Sequence, residues 1–169
     1  MNVKEAILNR RSIRKFKDTK VEKEKIELLL EAGYSAPSAC NRKPFHIYVI
    51  TNEEKIALLD KSGMFTKMHS PLIILVCGNT KRALPLKLKE YWIQDASAVT
   101  ENILIMAESL ELSTCWNGVH PQEKLVKKIS DILELPEHII PMSLIHVGYK
   151  DEEKKPNSGY DEKFVTFIE

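Results

Sequence analysis

Helical spacing of apolar residues predicts five helices along the chain. In the clearest cases, apolar side chains recur three or four positions apart and so share one face. The predicted helices cover residues 2–9, 22–34, 53–61, 91–110 and 124–133. Apolar side chains surround most of the fourth helix. A helix of that kind is usually central, and we expect it to pack against a sheet and to offer a surface to a partner subunit.

Shorter apolar stretches predict four strands, at residues 45–50, 71–77, 113–116 and 139–148. The second is a continuous apolar run bounded by Pro71 and Gly78, which is typical of a strand covered on both faces. Residues 35–44 are small and turn-forming and predict a loop. Residues 63–70 have little regular pattern, and we expect a mobile segment near a site there.

The end of the chain combines a polar tether with an apolar tip. Residues 150–159 have no core to bury, whereas Phe164, Val165, Phe167 and Ile168 follow close to the C-terminus. This pattern is typical of an arm that docks on a neighbouring subunit. A frayed tail is the alternative.

Length and composition limit the class of protein. A chain of 169 residues fits one domain, residues 1–169, with a core of its own. Its longest apolar run is far too short to span a bilayer, so we expect no membrane partner. The N-terminus lacks the apolar core of a signal peptide, because Lys4, Glu5 and Asn9 interrupt it, which predicts a cytoplasmic protein.

Cysteine and histidine positions predict neither a disulfide framework nor a metal site. Three cysteines are an odd number without C-x-x-C spacing, and they fit reduced thiols. The five histidines are scattered without ligand spacing.

A basic cluster at Arg10-Arg11-Ser12-Ile13-Arg14-Lys15-Phe16 carries the strongest chemical signal. Guanidinium forks and hydroxyl donors suit an anion with several oxygens, such as a phosphate monoester. Lys and Arg total 25 against 24 Asp and Glu, so the cluster is local in a nearly neutral chain. That balance favours a small phosphorylated ligand over nucleic acid. Taken alone, the cluster is also compatible with a solvated basic segment.

Three motifs in order resemble the nitroreductase family of FMN-dependent oxidoreductases. The family's R-R-S-x-R-x-F opening matches Arg10 to Phe16, and its A-P-S-x-x-N-x-Q-P-[WF] loop matches Ala36 to Phe45 with one departure. Its G-L-G-[ST]-C-W-x-G-like segment matches Leu110 to Gly118, with Glu111 and Ser113 in place of glycines. Together the matches span nearly the whole chain.

The resemblance implies an α+β fold with a central, mostly antiparallel sheet flanked by helices. It also implies a homodimer with FMN at the subunit interface and a domain-swapped C-terminal arm, about residues 150–169. The cofactor-binding residues that it implies are Arg10, Arg11, Ser12, Arg14, Pro37, Ser38, Asn41, Lys43, Cys115, Trp116, Asn117 and Gly118.

By position in the motifs, Arg10 and Ser12 would contact the FMN phosphate and ribityl chain, and Arg14 the pyrimidine end of the flavin. Asn41 can donate and accept hydrogen bonds at the flavin edge. The backbone at Asn117 and Gly118 would approach flavin N5, since a glycine allows close contact.

Several of these residues have plainer alternatives. Ser38 and Asn41 are also ordinary turn residues, Trp116 is also a core residue, and Cys115 fits a packed small side chain better than a nucleophile. Asp95, on the long helix, is expected to cap or pair locally without a catalytic role.

Two positions depart from the family pattern. Lys43 replaces the usual Gln, so it either stabilises the reduced, anionic flavin or points to solvent. Gly159 stands where many relatives carry a phosphate-binding Arg, within Asn157-Ser158-Gly159-Tyr160. Lys154 or Lys155 would then substitute, or the N-terminal cluster would hold the phosphate alone and FMN would bind more weakly.

The implied activity is hydride transfer from NADH or NADPH through flavin N5 to nitroaromatics, quinones or similar electrophiles, in a ping-pong cycle. No side chain acts as a nucleophile, because the cofactor carries the chemistry. A non-catalytic flavin-storage or redox-sensing protein is the alternative. A nucleic-acid binder that uses the basic cluster is the least favoured, because the net charge is near zero.

Overall fold

The computed structural model describes residues 1–63, 66–155 and 159–169 of the chain. The helices are α1 (Val3–Asn9), α2 (Lys23–Tyr34), α3 (Glu53–Asp60), α4 (Tyr91–Ser109) and α5 (Glu123–Leu133). The strands are β1 (Phe45–Ile50), β2 (Leu72–Asn79), β3 (Ser113–Gly118) and β4 (Ile139–Gly148). Short 3-10 turns lie at Ala39–Asn41, Leu86–Leu88 and Glu162–Phe164.

The four strands form one antiparallel sheet in the order β1-β2-β4-β3. The predicted α+β class and antiparallel sheet are therefore confirmed. β2 and β4 are central because both are apolar on each face, whereas β3 lies at an edge beside the N-terminal segment.

Helices cover both faces of the sheet, which is why β2 is buried along most of its length. Leu72, Ile74 and Val76 face α2 and α4, in a cluster that includes Val99 and Ile103. The alternate residues, Ile73, Leu75 and Cys77, pack in a second cluster with α3 and α5. The prediction of a strand covered on both faces is confirmed, since side chains alternate across a strand.

The long helix α4 is central, as predicted. It packs against α1, α2 and every strand of the sheet, and its buried residues include Asp95 and Thr100. Thr100 is hydrogen-bonded to Ser143 of β4 at 2.7 Å, which fixes the helix against the sheet.

The segment from Lys150 to Lys155 packs on its own chain. Its backbone pairs with the N-terminal basic segment through Asp151, whose N–H donates to the Lys15 carbonyl at 2.9 Å. Part of the predicted arm, residues 150–155, therefore contacts its own chain, and the docking of the arm on a partner stays a prediction. At the end of the chain, Phe164, Phe167 and Ile168 are at least 80% exposed.

The described helices include none that is both long and apolar enough to cross a membrane. The predicted mobile segment, residues 63–70, contains two positions, 64 and 65, that lie outside the described residues. In the described part, the Thr66 hydroxyl accepts from the Gly63 N–H at 3.0 Å, and the mobility of the segment stays a prediction.

Candidate active site

The basic segment, residues 10–17, forms an extended ribbon that is hydrogen-bonded to β3 and to the chain just beyond β4. The Ile13 N–H donates to the Thr114 carbonyl of β3 at 2.9 Å, and the Lys17 N–H donates to Tyr149 beyond β4 at 2.9 Å. Ile13 and Phe16 point inward, where they pack with Cys115 and Met68. The segment is thus anchored by its backbone and apolar residues, which leaves its polar side chains available on the other side.

The three arginines of the ribbon point to different places within one chain. Arg10 lies 3.5 Å from the Glu101 carboxylate on α4. Arg11 donates to the Lys155 carbonyl at 3.0 Å and lines a small cavity of about 250 Å³. Arg14 lines a much larger cavity, of about 930 Å³. The cluster therefore separates into distinct cationic positions along the ribbon.

Lys154 reaches the ribbon from the C-terminal side. Its ammonium donates to the Ser12 carbonyl and lies 3.2 Å from the Glu152 carboxylate. Glu152 in turn accepts from the Arg14 N–H, and this hydrogen bond lowers the pKa of the Glu152 carboxyl. Of the two lysines expected to replace the missing arginine, Lys154 thus places its charge beside Ser12. Asn157 and Ser158 lie outside the described residues.

The large cavity lies at the end of β3. Its lining includes Arg14 from the ribbon and Trp116, Asn117 and Gly118 from the strand. No described atom lies within 4 Å of where a Cβ on Gly118 would be, so the backbone there is open to a ligand. The Asn117 amide nitrogen is buried and has no hydrogen-bond partner among the described residues. An open backbone, an unused amide donor and a guanidinium suit a planar ligand with carbonyl and ring-nitrogen acceptors.

The predicted loop at residues 36–44 is held by α4. The Asp95 carboxylate accepts from the Ala39 N–H at 2.9 Å, so Asp95 pairs locally, as expected. The Ser38 hydroxyl accepts from the Lys43 N–H at 2.9 Å. Asn41 and Lys43 have positive φ angles of 51° and 47°, which make the turn compact.

The loop does not line the large cavity of its own chain. The lining of that cavity, among the described residues, contains Arg14, Trp116, Asn117 and Gly118 but not Pro37, Ser38, Asn41 or Lys43. Pro37 and Asn41 are exposed. The structure therefore brings part of the predicted site together and leaves the rest on a separate surface.

Known proteins share both the sequence pattern and the fold. The sequence model of the nitroreductase family matches residues 7–67 and 60–149. The chain is 40% identical to a protein of Methanothermobacter thermautotrophicus named as an NADH dehydrogenase/NAD(P)H nitroreductase, over 90% of this chain and 79% of that protein.

This chain belongs to the nitroreductase family. Solved structures agree with the assignment. A protein of Parabacteroides distasonis, titled as an NADH dehydrogenase/NAD(P)H nitroreductase, is 34% identical, with a TM-score of 0.92 over 99% of this chain and 98% of that one. An FMN-dependent nitroreductase of Clostridium difficile is 32% identical, with a TM-score of 0.87 over 97% and 98% of the two chains.

Cys115 faces the interior of this nitroreductase-family chain. Its side chain is 2% exposed and packs with Ile13, Phe16 and Met68. Burial raises the pKa of the thiol, although the charges of Arg14 and Lys154 oppose the shift. Cys115 is therefore a packed, protonated side chain, and any contact with a cofactor would come from its backbone. All three cysteines are free.

The sequence patterns did not identify some of the residues that line the large cavity at the end of β3. Ser62 and Gly63 after α3, together with Lys124 and Lys128 on α5, line the cavity. The irregular pattern of residues 63–70 pointed to this region without identifying Ser62. Lys124 and Lys128 are four positions apart and so share a helix face, which was the available signal.

Proposed function

We propose that this chain passes hydride from NADH or NADPH to small electrophiles such as nitroaromatics or quinones, in a ping-pong cycle. Family membership makes it an NAD(P)H-dependent FMN oxidoreductase, and relatives of this chain are named as NAD(P)H nitroreductases and as an FMN-dependent nitroreductase. The observation that carries the proposal is the cavity at the end of β3, where Gly118 is open and the Asn117 amide nitrogen has no partner among the described residues.

The residues present fit FMN. When bound, the flavin would supply the hydride chemistry at its N5 atom. Gly118 would give the ring close access to the backbone, and the Asn117 amide would donate to a ring acceptor. Arg14 would place a fixed positive charge where the reduced ring is electron-rich, which favours reduction. Arg10 and Ser12 would hold the phosphate, with Lys154 close to Ser12.

A second copy of the chain would complete the site. Pro37, Ser38, Asn41 and Lys43 do not line the cavity of their own chain, and the loop that carries them is hydrogen-bonded to Asp95 through the Ala39 N–H. Two-fold symmetry in a homodimer would bring this loop to the cavity of the other subunit. The exposed apolar residues after Gly159 would form a swapped arm on that subunit.

The visible spectrum of the purified protein is the first test. We expect flavin absorbance that bleaches when NADH or NADPH is added without oxygen and returns when a quinone or nitroaromatic is added. A colourless protein that ignores added FMN would overturn the proposal. Bound FMN that NAD(P)H reduces only slowly would instead indicate a flavin-storage protein.

Two variants test the residues that are expected to contact the flavin. Arg14→Ala and Asn41→Ala are expected to lower the FMN content and the activity together, because both side chains would contact the flavin. Lys127→Ala is a suitable control, since Lys127 pairs with Asp131 on the exposed side of α5. Full FMN occupancy in both site variants would count against the assignment.

The cytoplasmic location expected from the sequence stays a prediction.

A further inference from the structure

We propose that the wall of the cavity formed by Ser62 and α5 is an anion-binding subsite. It would take a phosphate or carboxylate group of the electron donor or of the acceptor. The inference rests on the proposed function and adds to it the chemical class of the substrate.

Ser62 supplies the first observation. Its side chain is 8% exposed and lines the cavity, and its hydroxyl has no hydrogen-bond partner among the described residues. The backbone around it is fixed, because the Ser62 N–H donates to the Leu59 carbonyl at 2.9 Å. A buried hydroxyl without a partner costs about 1–3 kcal/mol, and an anion in the adjoining cavity would supply an acceptor for it.

The start of α5 supplies the second observation. Glu123, Lys124 and Leu125 of its first turn line the cavity, and no side chain caps the helix at Gln122. The Gln122 amide instead donates to the Gly118 carbonyl at 3.3 Å. The first turn of a helix carries a partial positive charge, which attracts anions.

The charges along the cavity also favour an anion. Its described lining holds three cationic residues, Arg14, Lys124 and Lys128, against one carboxylate, Glu123. Lys128 is held in place because its ammonium donates to the Lys61 carbonyl at 2.8 Å, next to Ser62. The Lys128 charge therefore lies near Ser62, and Lys124 lines the same cavity.

The FMN phosphate does not account for this wall. In the proposed function, that phosphate is held by Arg10 and Ser12, and neither residue lines the cavity. The anion that meets Ser62, Lys124 and Lys128 would therefore belong to a molecule that enters after the cofactor. Both a nicotinamide dinucleotide and an acidic aromatic acceptor carry such a group.

Lysine substitutions on α5 test the subsite in the FMN-loaded protein. We expect Lys124→Gln and Lys128→Gln each to weaken binding of the anionic substrate about two- to fivefold, with a smaller effect at high salt, since both side chains are exposed. The limiting rate and the FMN content should not change. Lys127→Gln, on the outer face of the same helix, is the matched control and should match the wild type.

The two half-reactions identify the source of the anion. Rapid mixing of oxidised enzyme with NADH or NADPH gives the donor affinity. Mixing of reduced enzyme with 4-nitrobenzoate, and separately with neutral 4-nitrobenzyl alcohol, gives the acceptor affinity. If the lysine variants have a lower affinity for NADH or NADPH, the subsite belongs to the donor. If they have a lower affinity for 4-nitrobenzoate alone, it belongs to the acceptor. No change in any arm for the Lys124→Gln/Lys128→Gln double variant would overturn the proposal.

Inorganic phosphate provides a readout that is independent of turnover. In an NMR titration, phosphate should shift the amide signals of Ser62, Gly63 and the first turn of α5, and Ser62→Ala should weaken this binding. A protein that lacks FMN would overturn the proposed function, whereas the phosphate titration would still test the subsite. A holo-protein that turns over normally but shows no phosphate shifts and no lysine effect would overturn the subsite alone.

Discussion

Two glycines, Gly118 at the end of β3 and Gly78 near the end of β2, separate a proposed ligand contact from a packing contact. A Cβ added to Gly118 would meet no described atom within 4 Å, whereas one on Gly78 would lie 2.1 Å from the Trp92 ring. A side chain at position 118 would thus meet no described part of the chain, whereas one at position 78 would overlap the core. In the proposed function, the flavin occupies the space at Gly118.

Gly118→Ala should therefore impair flavin binding and not folding. We expect an unchanged Tm and an FMN affinity at least about tenfold lower, since the new methyl group occupies the space of the approaching ring. Isothermal titration of the FMN-free protein with FMN measures the affinity. Gly78→Ala is the paired variant, and it should lower the free energy of unfolding by about 1–3 kcal/mol through overpacking. Wild-type FMN affinity in Gly118→Ala would show that the cavity does not hold the ring.

His146 makes stability depend on pH. It is fully buried on β4, and its Nδ1 lies 2.8 Å from the Ser70 hydroxyl. Burial lowers the pKa of its imidazole to about 4, although the nearby Asp60 opposes the shift. Since the unfolded chain protonates His146 near pH 6.5, the unfolded state binds the proton first as the pH falls.

The free energy of unfolding should therefore be highest above pH 6.5 and fall towards pH 4, by about 3 kcal/mol from this group alone. Urea unfolding at several pH values measures it. His146→Gln should flatten the fall between pH 6.5 and 4, whereas His46→Gln, at an exposed position, should leave it as in the wild type. An equally steep fall in His146→Gln would assign the dependence to other groups.

At the scale of elements, apolar patterns predicted the strands well because burial dictates them. β1 and β4 have the predicted bounds, β3 ends two residues later than predicted, and β2 begins one residue later and ends two residues later. Gly78 and Asn79 continue β2 because their backbones pair with Ile140 and Ile139. Pairing of this kind needs no apolar side chain, so the pattern contained no signal for it.

The candidate site was predictable by residue type but not by arrangement. Motifs pointed to Arg14, Asn117 and Gly118, which do share a cavity. Ser62 carries no motif, and it reaches the cavity only through the fold that brings α3 and α5 together. The loop likewise has a long-range contact that no local pattern contains, because its Ala39 N–H donates to Asp95, more than fifty residues away in the sequence.

Asp95 connects α4 to the loop at residues 36–44, and its substitution should make that loop less ordered. The carboxylate is 6% exposed and accepts from the Ala39 N–H at 2.9 Å. Asp95→Ala leaves this N–H without its acceptor, and we expect about 1–3 kcal/mol less stability and weaker FMN binding.

Asp95→Asn is the matched variant because it keeps an oxygen acceptor at the same place. Its stability and FMN affinity should lie closer to those of the wild type. Hydrogen exchange at residues 36–44 measures the loop directly and should speed up in Asp95→Ala. Unchanged exchange there would show that the loop is held by its own turn, through Ser38 and the backbone.

At the scale of the whole molecule, the cavity at β3 and the apolar C-terminal residues would both gain contacts from a second subunit. Among the described residues, the lining of the cavity at β3 does not include the loop residues of the family motif, and the side chains of Phe164, Phe167 and Ile168 are exposed. One symmetric dimer would provide both sets of contacts, because a two-fold axis supplies each subunit with the loop and the arm of the other.

Deletion of residues 159–169 tests that account. The deletion leaves Lys154 and the pairing of Asp151 with the basic ribbon intact, so each chain should keep its fold. We expect the mass in solution to change from that of a dimer to that of a monomer, together with loss of bound FMN. Sedimentation equilibrium and the flavin spectrum measure the two effects.

A triple variant separates the apolar contacts of the arm from its length. Phe164→Ser, Phe167→Ser and Ile168→Ser together should weaken the dimer as the deletion does, because burial of these three side chains would supply most of the driving force. Glu162→Gln with Lys163→Gln, also exposed and in the same segment, should leave the dimer unchanged. If both the deletion and the triple variant remain dimers with full FMN, the end of the chain is a frayed tail, and α4 or another surface must form the interface.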